Sequence, residues 1–222
     1  MPKKITCVYT ALGLQDRFAA LLKEALGEDI VLHHIIESGF IADVVKAGGV
    51  TETLQKRLDA LLDAAVLTQP DLIIVTCSSI GLAAERYAAA HPGIPLLRID
   101  YPMARTAALT GRRIAVLATL STTVEPSVEL VERLAREAGR DVKVFSLTAE
   151  GAYLASKRGE KEYASSLVRE CVEKNCPDAD TVVLAQASMA MFREMLREIL
   201  PEGTLILESP ATCAAYLKER EW

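Results

Sequence analysis

Cys77 stands where a thiol can do chemistry, at the joint between a short apolar run and a helix-forming stretch. The segment Asp71-Leu-Ile-Ile-Val-Thr-Cys-Ser-Ser-Ile-Gly81 reads as a buried strand followed by polar residues. Helix former comes next, in Leu82-Ala-Ala-Glu-Arg-Tyr-Ala-Ala-Ala90. A thiol at such a joint faces the unpaired N–H groups and positive end of the helix, which favour the thiolate. The expectation is a pKa lowered relative to Cys7 and Cys171, so that Cys77 acts as nucleophile or base near neutral pH. The alternative is a small apolar side chain filling the end of a strand. Ser78 and Ser79 follow directly. Their hydroxyls could cap the helix or, with nearby N–H groups, hold a carboxylate or a developing oxyanion.

The elements that must position these residues alternate between strand and helix along the whole chain. Strands are expected over 5–9, 30–36, 72–76, 96–99, 114–118, 142–147, 181–185 and 204–207. Helices are expected over 14–26, 51–68, the stretch after Cys77, 127–138, 160–174 and 188–199, with a last one opened by Ser209-Pro210. Alternation of buried apolar strands with helices means a parallel α/β sheet.

The chain also echoes itself. Lys4-Ile-Thr-Cys-Val-Tyr-Thr10 resembles Arg113-Ile-Ala-Val-Leu-Ala-Thr119, and Asp71-Leu-Ile-Ile-Val-Thr-Cys-Ser-Ser79 resembles Asp180-Thr-Val-Val-Leu-Ala-Gln-Ala-Ser188. Both pairs are separated by 109 positions (4 to 113, 71 to 180). A shared offset implies two duplicated, pseudo-symmetric lobes with a site in the cleft between them. Cys77 and Gln186 then occupy equivalent positions. The expected lobes are residues 1–100 plus 205–222, and 101–204.

These segments, with Ala118-Thr-Leu-Ser-Thr-Thr123 and Glu208-Ser-Pro210, make the chain resemble the aspartate/glutamate/hydantoin racemase superfamily. The resemblance runs from Ile5 to Leu217. It implies two α/β lobes, no cofactor, and a small carboxylate substrate, an amino acid or a derivative. Racemising members place one cysteine from each lobe on opposite faces of the substrate α-carbon, because one group on one face cannot readily invert a centre. By that resemblance Cys77 is the reactive thiol, Gln186 stands at the second catalytic position, and Ser188 replaces a histidine of glutamate racemases. The substrate carboxylate would lie against Thr10, Ser78, Ser79, Ser121, Thr122, Thr123 and Ser188. Helix capping by the same hydroxyls is the alternative. A glutamine cannot shuttle a proton, so three readings stay open: a racemase or isomerase relative, a decarboxylase with Cys77 as proton donor, and a binding module that lost the chemistry.

Other features exclude more than they assign. A net charge of −5 argues against nucleic acid or an anionic membrane as partner. No apolar run approaches the ~20 residues that span a bilayer. Five cysteines without a spaced framework suit a reducing cytoplasm and give no metal site. Of the remaining candidates, Cys213 could lie near the cleft, and one of His33 and His34 could point into it. Tyr9 and Tyr153 are possible donors to a ligand, and a homo-oligomer is a possible assembly.

Overall fold

The computed structural model describes residues 2–176 and 178–220. In chain order, the first part contains β1 (Lys4–Tyr9), α1 (Gln15–Leu26), β2 (Val31–Ile36), α2 (Phe40–Ala47), α3 (Glu52–Leu67), β3 (Leu72–Val75), α4 (Gly81–Ala90) and β4 (Leu96–Arg98). Then come α5 (Tyr101–Thr110), β5 (Arg113–Ala118), α6 (Ser121–Glu137), β6 (Lys143–Thr148), α7 (Ala152–Lys157), α8 (Lys161–Asn175), β7 (Thr181–Leu184), α9 (Arg193–Ile199), β8 (Leu205–Glu208) and α10 (Ser209–Glu219). All sheet pairings are parallel, in two four-stranded sheets ordered β2-β1-β3-β4 and β6-β5-β7-β8. The two-sheet α/β architecture expected from the strand–helix alternation is present.

Each sheet carries its own core. In the first, Ile5, Cys7 and Tyr9 point to one side of β1, as period-two alternation requires, and pack with Phe18 and Leu22 of α1 and with Cys213 and Leu217 of α10. In the second, Leu117, Val182 and Leu184 pack with Val168 and Val172 of α8 and Leu196 of α9. The inner strands β3 and β7 are buried at every position, which is why they read as unbroken apolar runs. The helix signals hold where they are strongest: Thr51 caps α3 by accepting from the Leu54 N–H at 3.3 Å.

The duplication extends further than two segments. β1 and β5, β3 and β7, and β4 and β8 begin 109 positions apart (Lys4 and Arg113, Leu72 and Thr181, Leu96 and Leu205). The chain forms two compact units, one made of the residues up to Tyr101 together with those from Pro210 onward, the other of Pro102–Ser209. The helix after each unit's last strand thus belongs to the other unit: α5 to the second and α10 to the first. This corrects one expectation. Residues 205–208, expected in the first lobe, form β8, which is hydrogen-bonded to β7 from Thr181↔Leu205 to Leu184↔Glu208. Only the helix returns to the first unit.

Candidate functional site

Sheets with this strand order bind ligands beyond the carboxyl ends of their strands, at the point where the order reverses. In the first unit that point lies between β1 and β3, which lead into Thr10 and, two residues on, Cys77. In the second it lies between β5 and β7, which lead into Thr119 and, two residues on, Gln186. Cys77 and Gln186 have nearly the same backbone, with φ −133°, ψ 117° and φ −125°, ψ 136°. Each opens a 3-10 turn, Ser78–Ile80 in one case and Ala187–Phe192 in the other.

The Cys77 sulfur accepts hydrogen bonds from the Thr10 hydroxyl and from the Ser79 and Ile80 N–H groups. Those amides lie at the opening of the turn, and the Ile80 N–H also donates to the Cys77 carbonyl at 3.3 Å. The residue keeps some contact with solvent, yet its pKa is raised. Burial of the sulfur is the largest cause and the Asp100 charge adds to it, while the three donors act in the opposite direction. The expectation of a thiolate favoured near neutral pH is therefore corrected: desolvation outweighs the donors, and the first turn after Cys77 is a 3-10 turn rather than α-helix. Burial also lifts the other thiols, Cys7 to about 12 and Cys176 to about 11, with Cys171 and Cys213 raised as well.

Behind this loop lies a feature that the sequence reading missed. Arg98 and Asp100 are buried, and Nε and Nη2 of the guanidinium each donate to one Asp100 oxygen at 2.9 Å. Nη1 reaches Glu85 at 3.3 Å. The guanidinium lies against Gly81, where any Cβ would sit inside contact distance of Arg98 Cζ, Nε and Nη2. The glycine that closes Cys77-Ser-Ser-Ile-Gly81 is thus required by packing. The signal was present in Arg98-Ile-Asp100: two opposite charges, spaced by two, at the end of a short strand.

In the second unit the Gln186 side chain folds onto its own neighbourhood. Its Oε1 accepts from the Thr119 N–H at 2.6 Å, the Thr119 hydroxyl at 3.0 Å and the Leu120 N–H at 3.2 Å. Thr119 was not among the expected site residues, although it is the 109-offset twin of Thr10.

The other expected site residues divide between the units. Thr10, Ser78 and Ser79 are buried around Cys77 in the first. Ser121, Thr122 and Thr123, expected in a loop, instead form the first turn of α6 in the second. Thr123 is buried and its N–H donates to the Leu120 carbonyl at 3.2 Å, whereas Ser121 is exposed. Ser188 is exposed within its 3-10 turn. Cys213 is fully buried in the first core, and the buried Tyr9 places its hydroxyl 3.1 Å from His34 Nδ1, which makes both packing residues. His34, itself exposed, has its pKa lowered chiefly by desolvation. Tyr153 is half-buried on α7, with Lys157 Nζ 5.7 Å from its ring. Among the described residues no cluster of three His, Cys, Asp or Glu could hold a metal ion, and no helix is long and apolar enough to cross a membrane.

Known proteins share this architecture. The glutamate racemase of Thermus thermophilus, solved with β-chloro-D-alanine, superposes with a TM-score of 0.76 at 18% identity, over 98% of this chain and 80% of that one. A glutamate racemase isoform from Bacillus anthracis gives 0.75 at 17%, over 98% and 81%. The Picrophilus torridus aspartate racemase gives 0.68 at 13%, over 99% and 94%. At these identities the likeness concerns the fold. No curated protein matches the sequence. A family model for Asp/Glu/Hydantoin racemase, however, matches residues 13–216, nearly the whole chain, and the protein belongs to that family.

Proposed function

We propose that the protein is a cofactor-independent enzyme of the racemase and isomerase type, acting on a small carboxylate, an amino acid or a derivative, with Cys77 as its reactive thiol. The observation that carries this reading is the surrounding of the Cys77 sulfur at the β1/β3 switch point. A hydroxyl and two amide N–H groups converge on one sulfur, an arrangement that stabilises the thiolate once it forms. Thr10, Ser78 and Ser79 supply the polar groups nearest the thiol, and Ser121, Thr122 and Thr123 supply a helix N-terminus suited to a carboxylate.

The raised pKa favours a second reading, in which the resting thiol is a proton donor. In a decarboxylation the bond from the α-carbon to the departing carboxylate breaks, carbon dioxide leaves, and the electron pair passes into an enediolate. Cys77 then protonates the α-carbon, and its thiolate is reprotonated from solvent. A single thiol suffices for this, which suits a chain with Gln186 at the second position.

Both readings are tested by incubating the protein in D2O with small amino acids and dicarboxylates, following exchange at the α-carbon and release of carbon dioxide. Cys77→Ser is expected to lower either rate by several orders of magnitude, because the hydroxyl is a far poorer acid and base at this position. Ligand affinity should change little. Exchange or carbon dioxide release that survives Cys77→Ser sinks the assignment of the thiol. Binding without exchange or turnover shows a binding module instead.

A further inference from the structure

Gln186 has two ends, and the structure accounts for one. The atom facing Thr119 N, Leu120 N and Thr119 Oγ1 is fixed by chemistry as the carboxamide oxygen, since two of its three neighbours are backbone N–H groups that can only donate. The NH2 group must therefore face the other way. Among the described residues no protein acceptor takes Nε2, and the atom is not sealed from solvent. A carboxamide held by three donors has lost most of its rotational freedom, so its two outward N–H groups have a set direction before any ligand arrives. Hydrogen bonding that is already ordered costs little entropy on binding.

We propose that Gln186 is a ligand-binding residue whose Nε2 donates to a carboxylate or carbonyl oxygen of the ligand, its aim set by the Thr119–Leu120 loop. The residue at the second catalytic position thereby has a binding role that needs no proton transfer. The same geometry gives a preference. An amide NH2 presents only donors, so it welcomes an anionic or carbonyl oxygen and offers nothing to an ammonium group. The ligand selected at this position is accordingly one with an oxygen acceptor beyond the groups used elsewhere, such as a second carboxylate or a ketone, rather than a simple monocarboxylic amino acid. This inference rests on the reading of the protein as acting on small carboxylates.

The discriminating substitution is Gln186→Glu. A glutamate retains an oxygen for Thr119 N, Leu120 N and the Thr119 hydroxyl, so the loop keeps its partner, but it removes both outward donors and places negative charge there. Calorimetric titrations with malonate, succinate, 2-oxoglutarate and L-alanine are compared for the wild type and this variant. Binding of the diacids and of the keto acid is expected to weaken at least about tenfold, with Tm unchanged. Succinate against 2-oxoglutarate separates a carboxylate from a carbonyl acceptor. Equal affinity in the two proteins, or a wild type that prefers L-alanine, overturns the proposal.

If Gln186→Glu does not fold, the wild type itself is decisive. Glutamine-selective 15N labelling gives side-chain NH2 pairs for four residues, Gln15, Gln55, Gln69 and Gln186. The Gln186 pair, assigned through its proximity to Thr119, shifts and exchanges more slowly with succinate bound. A pair that does not respond to a bound diacid overturns the inference while leaving the Cys77 reading in place. A wild type that binds none of these probes removes the carboxylate reading and this inference together.

Discussion

The two units begin from one plan and part ways at a few side chains. Cys77 and Gln186 share a backbone conformation, a place after an inner strand and a threonine twin, Thr10 or Thr119. In the first unit the threonine hydroxyl serves a sulfur; in the second it serves a carboxamide oxygen. The support behind the loops differs more. Arg98, Asp100 and Gly81 of the first unit correspond by the 109 offset to Leu207, Ser209 and Ala190 of the second. Where Gly81 admits the guanidinium, α4 starts directly after a three-residue 3-10 turn. Where Ala190 stands instead, the 3-10 stretch runs six residues and α9 is three residues shorter than α4 (seven against ten). The thiol and its backing have diverged together, as the proposed division between a reactive Cys77 half and a binding Gln186 half requires.

The largest effect on stability that this comparison predicts is at Arg98. Its side chain and that of Asp100 are each 2% exposed, so Arg98→Ala leaves a carboxylate buried without its cation. Removing one partner of a buried pair costs about 3–5 kcal/mol. Urea unfolding should show a loss of this size for Arg98→Ala, whereas the double change Arg98→Leu with Asp100→Ser, which installs the second unit's residues, should recover a good part of it. A loss below 1 kcal/mol for the single change would mean that the pair is not the support of the Cys77 loop.

A smaller effect is expected at the glycine. Gly81→Ala drives a methyl group into a guanidinium held by Asp100 and Glu85, and overpacking of this kind costs about 1–3 kcal/mol. The reverse change in the other unit, Ala190→Gly, removes one methyl from a 3-10 segment and should cost about 1 kcal/mol or less. Equal losses at the two sites in thermal unfolding would show that the Arg98 contact imposes no special demand.

The inner strands were legible because a strand covered on both faces of a parallel sheet is apolar almost throughout, and all eight strands fall within about two residues of expectation. The 109 offset survived in the strands and in the threonine twins, where packing restrains change. Three helices went unseen. α7 has only six residues, Pro102 near the start of α5 reads as a break although proline suits a first turn, and the apolar pairs Phe40-Ile41 and Val44-Val45 of α2 sit between glycines. Ser121-Thr-Thr123 with Pro126 reads as loop for the same reason, yet the first turn of a helix needs few internal N–H partners and tolerates such residues. β8 went to the wrong lobe because linear order cannot show that a strand and the helix after it part company. The place of Cys77 just after an inner strand was visible from its neighbours alone. The direction of its pKa was not, since burial depends on residues distant in sequence, and the same holds for the Gln186 bonds to Thr119, 67 positions away.

The smallest effect is the most specific to the comparison. Thr10→Val and Thr119→Val each delete one hydroxyl while keeping shape, and each should cost about 0.5–1.5 kcal/mol of stability. Their consequences for the thiol should differ in kind. The Thr10 hydroxyl favours the Cys77 thiolate and opposes the effect of burial, so its loss raises a pKa that is already raised. The midpoint of Cys77 alkylation, read per cysteine by mass spectrometry, should therefore move to higher pH in Thr10→Val, with slower labelling at any pH below it. In Thr119→Val the hydroxyl lost is a donor to Gln186 Oε1 at 3.0 Å, and two backbone donors remain on that oxygen. Cys77 labelling should then follow the wild-type profile. A shift of equal size in both variants would mean that the two threonines act through a common change of structure, and the division of labour between the units would fail at its most direct test.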